Sequence, residues 1–125
     1  MSEIRVTTVS DTAGTGPVTL TKQSASKFRV HHSGDTPTTN ESFNMSSLTD
    51  NSAGNYTYAF TNSFNTAYYS SSAMSTEDGS IGYVTMYYSR SYTRSASNLR
   101  LQGIDNADSF DDGVFTSVVA HGDLA

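Results

Sequence analysis

Few side chains here could move a proton or attack a carbonyl. The 125-residue chain has 3 His and 0 Cys, which excludes a disulfide framework, a thiolate nucleophile and a thiolate metal site. His31 and His32 are adjacent in an alternating segment, so they point to opposite faces of a strand and cannot jointly hold a metal. Neither they nor His121 sits in a nucleophile elbow, and a catalytic triad needs a base oriented by a third group. The pattern predicts a protein that is not an enzyme, with no catalytic residue, no metal and no cofactor.

The run Asp105-Asn106-Ala107-Asp108-Ser109-Phe110-Asp111-Asp112-Gly113 invites a calcium reading, because hard cations want several carboxylate oxygens. Its spacing does not match an EF-hand loop, and a solvated acidic loop is the ordinary outcome. Tyrosine and arginine give a sharper pattern. Tyr87, Tyr88, Arg90, Tyr92 and Arg94 crowd one stretch, and Tyr68 and Tyr69 fall on a predicted neighbouring strand. Both residue types are enriched at protein interfaces, where a large rigid surface carries a polar tip, and the same pair can stack on and hydrogen-bond a sugar. Core packing, a subunit interface and ligand contact all remain open for these seven.

The elements that must position them are strands. Ser and Thr make up roughly 30 % of the chain, far above ordinary usage, and no window of eleven or more residues keeps apolar positions at helical spacing. Lys27–His31 alternates Phe28 and Val30 against Lys27, Arg29 and His31. Ser42–Ser47 carries Phe43 and Met45, and a loop at Asp50–Gly54 leads to Asn55–Thr61 with Tyr56, Tyr58 and Phe60 on one face. Further strands are expected at Ala67–Ser75, Ile81–Tyr88, Ser95–Leu101 and Val114–Ala120, the second entered through Asp78-Gly79. Turn signals about every ten residues predict an antiparallel, jelly-roll-like β-sandwich over residues 18–125. Ile4–Val9 reads as a short strand, followed by turn formers up to Pro17, so residues 1–17 are expected to form an arm and hinge.

Composition bounds the partners. The net charge is -5 with only 15 % charged residues, which disfavours nucleic acid, since phosphate binding wants clustered Lys and Arg. Met1–Val6 lacks the apolar core of a signal peptide, and nothing approaches the ~20 apolar residues of a membrane span. Leu, Ile, Val and Phe together supply roughly 18 % of positions, close to the level at which disorder becomes a serious reading. The 8 Tyr and 6 Phe argue against disorder. So lean an apolar inventory predicts that partner subunits complete the burial.

The segment Ser42-Phe43-Asn44-Met45-Ser46-Ser47-Leu48-Thr49-Asp50-Asn51-Ser52-Ala53-Gly54-Asn55-Tyr56-Thr57-Tyr58-Ala59-Phe60-Thr61 resembles a recurring module of tailed-bacteriophage virion proteins, most of all small fibre proteins of marine phages. Met1–Val6 with Asp11–Gly14, the Lys27–Val30 strand and Phe115–Gly122 are similar to their opening, an inner strand and their closing strand. Arg29 stands where the family usually has Trp, and Met74–Phe110 matches no motif of it. The resemblance implies a tail-fibre or head-fibre protein, homotrimeric, made in the host cytoplasm and located in the virion. Ile4, Arg5 and Val6 would anchor it to capsid or tail proteins, and a host-surface glycan or protein would be its target. A capsid decoration protein clamping neighbouring subunits is the alternative, and a free carbohydrate-binding module, monomeric with saturable sugar affinity, is a third.

Overall fold

The computed structural model describes residues 25–76, 83–88, 94–105 and 107–125, with the backbone alone over 83–88. Eight strands and no helix occur among the described residues: β1 (Phe28–Ser33), β2 (Thr38–Phe43), β3 (Met45–Ser52), β4 (Asn55–Phe60), β5 (Ser70–Thr76), β6 (Tyr83–Tyr88), β7 (Asn98–Ile104) and β8 (Phe115–His121). All pairings are antiparallel, in the order β2-β1-β8-β5-β6-β7-β4-β3. Among the described residues β5 and β6 share the pairs Ser75↔Val84 and Thr76↔Tyr83, and this contact joins the β2-β1-β8-β5 sheet to the β6-β7-β4-β3 sheet. The expected antiparallel β-sandwich is present.

Alternation explains which face is inside. Phe28, Val30 and His32 on β1, with Thr116, Val118 and Ala120 on β8, point inward and are buried. From the other sheet come Tyr56, Tyr58 and Phe60 of β4 with Leu99 and Leu101 of β7. Phe28 spans the gap, its ring 6.1 Å from Tyr58 and 4.9 Å from Phe60. Phe60 continues the chain of rings to Phe64 at 5.0 Å and Tyr69 at 5.6 Å. Among the described residues six of the eleven buried apolar side chains are thus aromatic, and large rings supply the area that the scarce aliphatics cannot.

Three expectations are corrected. The run Ser42–Ser47 is not one strand, because Asn44 takes a left-handed φ of 59°, a conformation that asparagine tolerates better than most residues. Its side chain holds the break: Nδ2 donates to the carbonyls of Lys27 and Asn62 at 2.9 and 3.0 Å, and Oδ1 accepts from Asn62 N at 2.7 Å. At that residue the chain leaves the first sheet as β2 and enters the second as β3. The loop at Asp50–Gly54 is also shorter than expected: β3 runs to Ser52, which pairs with Asn55, and Ala53-Gly54 alone makes the turn. Finally, the predicted strand at Ala67 starts only at Ser70, because Thr66 Oγ1 accepts from Tyr68 N at 3.2 Å and keeps the approach a turn. The predicted strand at Ile4–Val9, the Asp78-Gly79 turn and the 1–17 arm lie outside the described residues. No helix among the described residues is long and apolar enough to cross a membrane.

Candidate functional site

The buried end of β1 carries a polar cluster that resembles catalytic machinery. His32 is fully buried. Its Nδ1 lies 3.2 Å from Ser33 O and its Nε2 2.9 Å from Tyr58 Oη. A carbonyl can only accept, so Nδ1 carries the proton and Nε2 accepts from the phenol. Tyr56 packs edge-on against the imidazole at 4.8 Å and donates its hydroxyl to Asp112 Oδ1, which also accepts from Gly54 N at 2.6 Å. Burial holds the His32 pKa below the ordinary histidine value, despite the opposing Ser33 carbonyl. Burial also pushes the Tyr56 and Tyr58 phenols above their usual range, with Asp112 adding to the effect at Tyr56. His32, Tyr56 and Tyr58 are therefore neutral, buried and hydrogen-bonded, and the bonds from Tyr56 and Gly54 to Asp112 pin the end of the acidic run to the sandwich.

That pin has a pH signature. An unfolded His32 binds a proton near pH 6.5 that the folded protein refuses, so stability is full above that pH and falls as pH drops below it. The urea midpoint should therefore decline on acidification more steeply in the native chain than in His32→Gln, which cannot titrate. Parallel curves between about pH 7 and 5 would contradict a buried neutral imidazole.

In the acidic loop the Asp105 carboxylate serves the backbone. Asp105 Oδ1 accepts from Ala107 N and Ser109 N, both at 2.8 Å, and Asp105 N donates to Ser109 O at 2.9 Å. Among the described residues no three His, Asp or Glu side chains converge as a metal site. Asn106 lies outside them.

The tyrosine and arginine candidates separate. Tyr69 is only 4 % exposed, stacked on Phe64 at 4.4 Å, with its hydroxyl donating to Asn98 O at 2.9 Å. Arg94 sits over the Tyr69 ring at 5.1 Å and donates to the Tyr69 carbonyl. These two are brought together, and Tyr69 is core. Tyr68, its neighbour in sequence, is 90 % exposed. On β6, Tyr87 pairs with Gln102 and Tyr88 with Leu101 of β7. Arg90 and Tyr92, like Ile4, Arg5 and Val6, lie outside the described residues.

Two surfaces escaped the sequence reading. The first is the outer face of the β2-β1-β8-β5 sheet. Register sets Phe43 beside Arg29 and Val119, Glu41 beside His31, Ser117 and Met74, and Phe115 beside Thr76. Phe43 and Phe115 are each more than half exposed and Met74 is 79 % exposed. Arg29 and Glu41 form an ion pair among them, and His31 meets the Phe115 ring edge-on at 5.9 Å. The signal was the alternation in β8: once Thr116, Val118 and Ala120 face inward, Phe115 must face out. The second is a cavity of about 280 Å³ where the 64–70 segment meets the end of β8. Comparison with known proteins finds no matching family model, no matching curated protein and no matching solved structure.

Proposed function

We propose that the chain is a non-enzymatic structural module that works as an assembly of its own copies. The observation that carries this reading is the outer sheet face, where Phe43, Met74 and Phe115 stand in water at positions that an isolated antiparallel sheet fills with polar residues. Covering each of them would add on the order of 1 kcal/mol. A sister copy suits the face because Arg29 and Glu41 lie side by side on it, so it offers each charge an opposite when two copies meet. β2, at the sheet edge beside that face, is exposed along its whole length, and among the described residues its outer ladder has no partner strand, which leaves an edge that a neighbour can pair with.

The resemblance of Ser42–Thr61 to phage fibre proteins supports a virion as the setting and three as the number of copies. In that setting the mechanism is passive: copies bury their sheet faces against one another, and the remaining loops meet solvent, scaffold or host.

The double variant Met74→Glu, Phe115→Glu tests the reading. Both side chains already face solvent, so the fold and its far-ultraviolet spectrum should persist while the assembly falls to single chains in native mass spectrometry. An oligomer of unchanged mass in the double variant would refute the assignment of this face.

A further inference from the structure

Beside the assembly face lies a second surface whose chemistry is different. Tyr68 presents nearly its whole ring to solvent, and the turn at Thr66 fixes the backbone beneath it. Next to it the cavity of about 280 Å³ is floored by Phe64 and the buried Tyr69. Its opposite wall is the chain end after β8. The Asn65 N–H donates to the Asp123 carbonyl at 2.7 Å and the Ala125 N–H to the Ser63 carbonyl at 2.9 Å, so the two walls are tied and the cavity exists before any ligand arrives.

Besides the hydroxyls of Thr66 and Ser70, the polar groups around this space are a carboxamide (Asn65), an imidazole (His121) and a carboxylate (Asp123). No hydrogen bond engages these three side chains among the described residues. An aromatic face flanked by unengaged donors and acceptors matches a pyranose, which offers an apolar C–H face and a ring of hydroxyls that both donate and accept. The volume lies just under the roughly 300–1,000 Å³ of pockets for drug-sized ligands, room for one sugar ring. Asp123 disfavours an anionic ligand, and Arg94 is turned to the Tyr69 ring and carbonyl.

We propose that this cavity binds a neutral hexopyranose unit of a glycan, stacked on Tyr68 and hydrogen-bonded by Asn65, His121 and Asp123. The site lies within one chain, so it stands whether or not the assembly reading does.

Titration of the full chain with methyl α-glucoside, methyl α-mannoside and methyl β-galactoside, followed by amide NMR, tests it. At least one should give saturable shifts at Asn65, Thr66, Tyr68, Gly122 and Asp123, with millimolar affinity. Tyr68→Ala should weaken that affinity about tenfold, the loss of one aromatic stacking contact. Asp123→Asn, which keeps the size and removes the charge, should weaken it by a similar factor. No saturable shift with any of the three sugars, or an affinity that neither variant changes, would overturn the proposal.

Discussion

Phe28→Ala is expected to destabilise the protein by about 3–5 kcal/mol, the range for deleting a buried phenylalanine. Phe28 has no exposure and is packed from both sheets, its ring in contact with Tyr58 and Phe60. Both partners are held by ladders to β3 and β7, so neither can collapse into the space. Against a total stability of about 5–15 kcal/mol for a domain, such a loss removes a large fraction. It should lower the melting temperature by roughly 10–20 °C in a chain of this length. A shift of only a few degrees in a thermal melt would mean that the two sheets do not share the core described here.

Gly54→Ala should be comparably damaging for a different reason. Gly54 has a φ of 65°, and an L-residue there costs about 1–2 kcal/mol. A Cβ would also lie 2.6 Å from Gly103 O, 2.7 Å from Asp111 O and 2.8 Å from Asp111 N, all backbone atoms. Relief requires separating the β3–β4 turn from β7 and the acidic loop. That would break the bonds from Gly103 N to Gly54 O at 2.7 Å and from Gly54 N to Asp112 Oδ1 at 2.6 Å. Backbone strain and lost hydrogen bonds together come to on the order of 3 kcal/mol. Ser52→Ala, exposed on the same hairpin, should stay within about 0.5 kcal/mol. Equal urea midpoints for the two variants would contradict the close approach.

Burial contrast decides what can be read from this sequence. β4 was legible because Tyr56, Tyr58 and Phe60 alternate with smaller residues, and β1 and β8 because Phe28, Val30, Val118 and Ala120 repeat at period 2. The same rule placed His31 and His32 on opposite faces, where they are. β2 was not legible, since it is exposed throughout and is held by its ladder to β1 rather than by burial. The corner at Asn44 misled because Phe43 and Met45 look like one face of one strand. In the fold they belong to different sheets, Phe43 on an outer face and Met45 against the core.

The candidate sites were harder still. Tyr68 and Tyr69 were singled out together, yet one is core and the other solvent-facing, a division made by the Thr66 turn. The cavity joins residues 64–70 to 121–123, and no local pattern announces a wall so far along the chain. The clasp of Asp112 on Tyr56 and Gly54 is hidden for the same reason: an acidic run shows charge, not which carboxylate turns inward.

Sedimentation equilibrium of the unaltered 125-residue chain, across a range of concentrations, tests the assembly reading most directly. A molar mass three times that of one chain, falling only on dilution, is the predicted result. A species that stays at one chain mass at every concentration, and still melts cooperatively at high temperature, would contradict it.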